Sequence, residues 1–312
     1  MIRKERLVVG HRPDGSSISL PIITVRGDGD KPNVFMGLTA HGDEITGHQS
    51  LWYLLDHLNE MRIKGLLKIA ALINTEGFNY SIRGVPLSTI DMNRIYPGDG
   101  NGSIFERVAA KIWEMASKSD FVIDVHSAGL SIPFVLIHPA EPLIRDFMEE
   151  VAYSSGLTVL YNYDRDLYER MGLERSLSGT SVRNGVPALT LELPGFAGID
   201  PTGAKAGFIA LKNMLIEIGV FEGSKEAIDF TPVIKERGLK RIRVRSREAG
   251  LLQYEKWLGS KVKEGDIIAR VRNLFGEIIE EVVAPQDGYI LQVNGYYRTF
   301  TGSVVATLAV RS

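Results

Sequence analysis

Apolar residues along this chain keep two rhythms. From residue 33 to about 222, continuous apolar runs alternate with stretches in which apolar side chains return at helical spacing. The runs "NVFMGLT", "LLKIAALIN", "DFVIDVH", "PFVLIH" and "PALTLEL" read as strands buried on both faces. Leu51, Leu54, Leu55 and Leu58 mark a helix from Glu44 to about Arg62. Further helices are predicted from Ile104 to about Ser117, over "PLIRDFMEEVAYSSG", and from near Gly203. Ahead of these, "ERLVVG" and "ISLPIITVRG" alternate around a "RPDGS" turn and predict a hairpin. Residues 75–103 are rich in Gly, Pro, Asn and Asp, lack a period, and read as a long loop, which in a compact domain is usually functional or disordered. A polar, tyrosine-rich stretch at 161–180 carries no interpretable spacing. Strands alternating with helices predict an α/β domain with a mixed, largely parallel sheet.

After about residue 222 the rhythm changes. "EGSKEAIDFTPVIKERG" reads as a charged linker, and from Leu239 onward no helical period remains. Short strands sit between glycine turns: "KRIRVRS", "GLLQYEKW", "DIIARVR", "EIIEEVVA", "GYILQV" and "SVVATLAV". Two domains are expected, 1–225 and a small all-β domain at 226–312.

Composition narrows the function. A formal charge of -2 offers no basic field for nucleic acid, and no basic run suggests a membrane surface. No apolar stretch approaches the roughly 20 residues of a membrane span, and "MIRKERLVVGHRPDG" does not read as a signal peptide. A cytoplasmic location is expected. The absence of cysteine removes disulfides, thiolate ligands and cysteine nucleophiles. Any zinc must then be held by histidine and carboxylate, the donor set of open catalytic sites.

Candidate chemistry gathers where open α/β sheets place their sites, at the C-terminal ends of strands. "TAHGDEITG" follows the strand at 33–39 and sets His41 and Glu44 three residues apart. His126 ends "FVIDVH", and Glu192 lies near the end of "PALTLEL". With six histidines an H-x-x-E match arises by chance about as often as not, so the first cluster alone decides nothing. Four such residues at equivalent strand ends are more informative. They supply two histidines and a carboxylate for a metal, plus a free glutamate able to move a proton. Arg83, Asn93 and Arg94 in the long loop are donors of the kind that polarise a carbonyl or hold a carboxylate. Asp43 reads as a helix cap or a support for the ligands. His11, His48, His57 and His138 lack a carboxylate at matching spacing and read as ordinary structural residues.

The order of "HGDE", "RGVP…DMNRIYPG", "DVHS" and "LTLEL" over roughly residues 30–220 resembles the succinylglutamate desuccinylase/aspartoacylase family, which belongs with the zinc carboxypeptidases. The resemblance implies a zinc-carboxypeptidase-like α/β/α domain holding one Zn(2+) per chain on His41, Glu44 and His126. It implies Glu192 as general base and acid, Arg83 at the oxyanion, Asn93 and Arg94 as a substrate-carboxylate clamp, and Asp91 as the carboxylate that orients His41. The activity implied is zinc-dependent removal of an acyl group from an N-acylated amino acid or related small amide. A zinc carboxypeptidase acting on short peptides shares every catalytic residue, and a non-catalytic binding protein on a hydrolase scaffold is the third reading. The tail, through "VKEGDIIA" and "VAPQDGYI", resembles a biotinyl/lipoyl-type barrel-sandwich hybrid. Its carrier position, eight residues before Pro285, is Glu277 rather than lysine, so a swinging arm is not expected. The tail is instead expected to pack beside the cleft, narrow access to it, or join copies of the chain as a homo-oligomer.

Overall fold

A computed structural model describes every residue except Leu87, Ala197 and Ser312. Its frame is a sheet that runs through the whole molecule. From one edge the strands are Ile2–His11, Ser17–Arg26, Leu66–Ala70, Asn33–Leu38, Phe121–Ser127, Ala188–Leu193, Phe134–Ile137 and Thr158–Tyr161. The central pairings are parallel: Asn33–Leu38 lies between Leu66–Ala70 and Phe121–Ser127, and the latter continues to Ala188–Leu193. Antiparallel pairings follow at the leading hairpin and between Ala188–Leu193 and Phe134–Ile137. Every residue of Phe121–Ser127 is buried, as a strand covered on both faces requires. Helices Thr46–Asp56, Pro142–Ser154 and Pro201–Ile218 pack together on one face. Leu177–Arg183 lies on the other, its Leu177 standing over Gly37. The sheet is mixed and largely parallel at its centre, with helices on both sides, as its sequence rhythm predicts.

The chain after the linker forms an antiparallel all-β region with its own core, including Val244, Leu252, Ile268, Val271, Ile290 and Leu308. Its first strand, Leu239–Arg245, pairs in parallel with Thr158–Tyr161, so the tail extends the main sheet. A further cluster of Phe134, Leu136, Leu160, Leu239, Leu291 and Ala309 fills the junction. Glu277 sits in an exposed hairpin turn and binds the Asn273 side chain. No described helix is long and apolar enough to cross a membrane.

Four expectations are corrected. The segment 75–103 contains a helix, Thr75–Tyr80, capped by the Asn74 side chain and stopped at Ser81 in the left-handed region, and a 3-10 turn at Met92–Arg94. Less than two turns of helix cannot display a period. Helices Arg165–Arg170 and Leu177–Arg183 occupy the tyrosine-rich stretch for the same reason. The helix expected from Glu44 to Arg62 is shorter, Thr46–Asp56, with Ile45 at its N-cap and no side-chain cap. Asp43 is exposed and caps nothing; Glu44 precedes the helix and is free to turn inward.

The turn that carries His41 depends on two backbone positions. Thr39 leaves the strand at φ 55, a strained choice for a β-branched residue. Its hydroxyl donates to the Glu44 carbonyl at 3.1 Å. Gly42 then passes against the Thr75–Tyr80 helix so closely that a Cβ would lie 2.0 Å from the Gly77 carbonyl carbon. Gly42→Ala is therefore expected to push that helix away and cost about 1–3 kcal/mol of stability. Urea denaturation checks this, and an unchanged midpoint would refute the close approach.

Beneath the site His138 is fully enclosed. Thr190 donates to the Ser178 hydroxyl at 3.1 Å, so it accepts from His138 Nε2, and Tyr168 donates to Nδ1, both at 2.8 Å. Both ring nitrogens are satisfied in the neutral form, in keeping with the structural role its sequence context suggests. Burial, opposed by the Asp124 charge and aided by Arg241, lowers its pKa to about 3. The unfolded chain protonates this ring below about pH 6.5, whereas the folded chain refuses the proton until about 3. His138 thus costs nothing above pH 6.5 and destabilises the fold increasingly as pH falls towards 3. His138→Gln should lose stability less steeply across that window, read as the change with pH in the difference between the two urea midpoints. A pH-independent difference would contradict this.

Candidate metal centre

His41, Glu44 and His126 come together at the floor of a cleft of about 1550 Å³. His41 arrives on the Thr39–Gly42 turn, and His126 from the penultimate position of Phe121–Ser127. Glu44 reaches both. Its Oε1 lies 2.8 Å from His41 Nδ1, and its Oε2 lies 2.7 Å from His126 Nδ1. The Ser127 backbone N–H donates to the same Oε2 at 3.1 Å. The two Nδ1 atoms are 3.2 Å apart.

The outer nitrogens face carboxylates. His41 Nε2 lies 3.0 Å from Asp91 Oδ1, and His126 Nε2 lies 3.1 Å from Asp124 Oδ1. Asp91 and Asp124 thus stand behind the two rings while each Nδ1 faces the centre. Two imidazole nitrogens and a carboxylate converging within 4.8 Å make a donor set that a shared cation would complete. Burial opposes charge on both imidazoles, yet Glu44 with Asp91 raises the His41 pKa, and Asp124 with Glu44 raises that of His126 well above the ordinary histidine value. Burial likewise opposes charge on Glu44 and Asp91, but the imidazoles hold both carboxyls well below their usual range. The whole cluster is organised around positive charge. Its nitrogen and oxygen donors fit a divalent ion of the zinc type.

Glu192 is the register partner of His126 on the adjacent parallel strand. It belongs to none of these pairs. Burial raises its carboxyl above the usual range, with His126 pulling the other way.

The loop residues are placed as follows. Arg83 donates to Glu44 Oε1 at 3.1 Å and to Asp91 Oδ2 at 3.2 Å, at the half-exposed rim of the cluster. Asn93 is buried, accepting from the Leu177 N–H at 2.8 Å and donating to Asp124 Oδ2 at 3.1 Å. Arg94 lines the cleft, bonded to the carbonyls of Met171 and Asn93. His48, half-buried, and His57, bonded to the Tyr53 carbonyl, stand outside the cluster. Sequence reading passes over Asp124, although it shares a strand face with His126 two residues on. It also passes over Asn162 and Arg241, which line the same cleft.

The model of the succinylglutamate desuccinylase/aspartoacylase catalytic domain matches residues 30–218. The N-alpha-acetyl-L-2,4-diaminobutyric acid deacetylase of Halomonas elongata is 27% identical over 304 residues, covering 94% of this chain and 86% of that protein. The product-bound ectoine utilization protein EutE (DoeB) of Ruegeria pomeroyi superposes with a TM-score of 0.84 at 22% identity, covering 99% of this chain and 94% of that one. A metallo-carboxypeptidase of Burkholderia cenocepacia shares the fold more distantly, with a TM-score of 0.54 at 16% identity over 69% of this chain and 64% of its own. The continuous match across the strand-end cluster and its supporting loops places this chain in the succinylglutamate desuccinylase/aspartoacylase family.

Proposed function

We propose that this protein is a zinc-dependent amidohydrolase that removes the acyl group from an N-acylated amino acid or related small amide, with one zinc ion per chain. The observation that carries the reading is the convergence of His41 Nδ1, His126 Nδ1 and the Glu44 carboxylate beside a separate glutamate, Glu192, whose carboxyl is raised by burial. The deacetylase named for the Halomonas relative supports the reaction class.

Zinc held by His41, Glu44 and His126 would supply Lewis acidity and make water a nucleophile near neutral pH. The remaining work falls to the chain. Glu192 accepts the proton that water loses as it adds to the amide carbonyl carbon. It returns that proton to the nitrogen as the C–N bond breaks, so acid and amine leave. A raised carboxyl pKa suits both steps, because the group must be ionised first and protonated next. Arg83 supplies positive charge for the carbonyl oxygen as it gains electron density. Arg94 and Asn93 are assigned to a substrate carboxylate. The Asn93 amide nitrogen already lies against both Asp124 Oδ2 and His126 Nε2, so Arg94 carries more of that task. Asp91 fixes the His41 ring.

Glu192→Gln should lower kcat by at least ~10²–10⁴-fold while one zinc per chain is retained. Amine release from N-acyl amino acids and from short peptides, assayed side by side, reads the loss and the substrate class. Cleavage of peptide C-termini alone would move the protein to the carboxypeptidases, and undiminished activity in the variant would remove Glu192 from the mechanism. Asp91→Asn should weaken zinc binding by roughly 10–100-fold, measured by competition with a chromogenic chelator. Equal affinity would show that Asp91 does not orient the ligand.

A further inference from the structure

In the tail, strands Ile267–Arg272 and Ile278–Val283 form a hairpin whose turn, at 273–277, is heavily bonded. The Asn273 side-chain oxygen accepts from the N–H groups of Phe275 and Glu277, both at 3.0 Å. The Gly276 N–H donates to the Asn273 carbonyl at 3.1 Å, with Gly276 in the left-handed region at φ 87. Asn273 Nδ2 donates to the Glu277 carboxylate at 2.7 Å, and Arg272 folds back onto the Gly276 carbonyl and Gln253. Side-chain bonds of this kind fix the shape of a turn. Here the shape puts Leu274 and Phe275 into water, 86% and 91% exposed. Neither packs on a core of its own chain among the described residues. Apolar side chains scattered singly on a surface need no partner, but two fixed side by side on a projecting turn have the form of an anchor.

A hollow that suits such an anchor lies elsewhere on the same chain. Pro232, Val233, Ile234, Gly259 and Tyr289 line a largely apolar recess of about 480 Å³ where the linker meets the tail. Lys235 and Glu236 stand in its wall. Glu236 is engaged by the Tyr289 hydroxyl at 2.5 Å and by Arg311 Nε at 3.4 Å. Lys235 forms no ion pair among the described residues, and neither does Lys261, which lies 5.7 Å from the centre of the Tyr289 ring. The wall therefore carries spare positive charge. Glu277 is the one charged residue at 273–277, and it has no cationic partner among the described residues. A chain cannot fill its own hollow with its own tip. The hairpin strands are six residues long, on the order of 20 Å. The hollow lies past their far end, beyond the bond from the Gly265 N–H to the Ala284 carbonyl.

We infer that Leu274 and Phe275 anchor a second copy of this chain by entering its hollow at Pro232, Val233, Gly259 and Tyr289. Apolar side chains fill an apolar recess, and Glu277 comes to the unpaired ammonium groups of Lys235 and Lys261. Exchange of tips about a two-fold axis fills both hollows and closes the assembly as a dimer. The same contact repeated in one direction would leave a free tip at one end and a free hollow at the other, and would go on growing. Neither the tip nor the hollow lines the metal cleft, so the association is independent of the deacylase reading.

Sedimentation velocity on the full chain across the micromolar range tests this, and a monomer–dimer equilibrium is expected. Leu274→Ser with Phe275→Ser should raise the dimer dissociation constant by at least ~30-fold. Pro232→Glu, at an exposed position in the wall of the hollow, should do the same by setting a carboxylate against Glu277. Glu277→Arg should weaken the dimer by about 10-fold, and adding Lys235→Glu should recover most of that loss, because the charges then match again. All these positions are exposed, and thermal melting verifies that each variant is folded. A parental chain that stays monomeric overturns the inference, as does a dimer that the tip or the hollow variant leaves intact. Failure of Lys235→Glu to rescue Glu277→Arg would break the pairing of tip with hollow. Flotation with phosphatidylcholine vesicles covers the other apolar partner: tip-dependent binding of a monomeric chain to them would give Leu274 and Phe275 to a membrane instead.

Discussion

The carboxylate of Glu44 is the joint on which this site hangs. It binds His41 and Arg83 through one oxygen and His126 and the Ser127 N–H through the other. A nearly buried carboxylate is tolerable only while such partners persist, since an unpaired buried charge costs several kcal/mol. Each partner is held in turn. Asp91 faces His41, Asp124 faces His126, Asn93 braces Asp124, and the Leu177 N–H braces Asn93. The chain of dependence runs from a turn at residue 39 through a loop near 91 to a helix starting at 177. Loss of any one contact leaves a charge or a lone pair exposed to a low-dielectric interior.

The sheet makes such long-range agreement possible. Parallel neighbours end on the same side, so His41, His126 and Glu192 emerge together although they lie far apart in the chain. The register between Glu192 and His126 is set by backbone pairing along six consecutive residue pairs. A one-residue slip would turn Glu192 to the opposite face. The base candidate is therefore placed by the ladder, and its raised pKa follows from a burial that the same ladder imposes.

This division explains what could be read from sequence. Strands such as Phe121–Ser127 and Ala188–Leu193 are legible because burial on both faces forces continuous apolar runs. The cluster at their ends is legible because polar residues that close such runs stand out. Thr75–Tyr80 and Leu177–Arg183 are not legible, being held by a capping side chain and tertiary contacts rather than by a period. Asp43 reads as a cap because acidic residues often are, yet the helix starts at Thr46 with Ile45 at its N-cap and no capping side chain. Asp124 was hidden by the apolar run around it. Arg241 carried a faint signal, alternate arginines in "RIRVR", which reads equally well as a solvated strand face. Its partners, Asn162 and Tyr163, lie about eighty positions earlier and only the fold brings them near.

The tail is an antiparallel all-β region whose turn and opening strand differ in what holds them. Its hairpin turn holds Glu277 and Asn273 in a local hydrogen bond, with no amine to carry a group. The strand that opens the module, by contrast, is paired along its length to Val304–Arg311 and, at Leu239 and Lys240, also to Thr158–Tyr161. A strand held in such a ladder keeps its side chains on the face the pleat assigns them. Arg241 and Arg243 therefore stay adjacent over Tyr163 despite their mutual repulsion. Like charges held side by side are costly in isolation, so the ladder and the aromatic face must hold them there. The sheet's continuation into the tail thus fixes the arginines over the cleft, as its centre gathers polar residues at the strand ends.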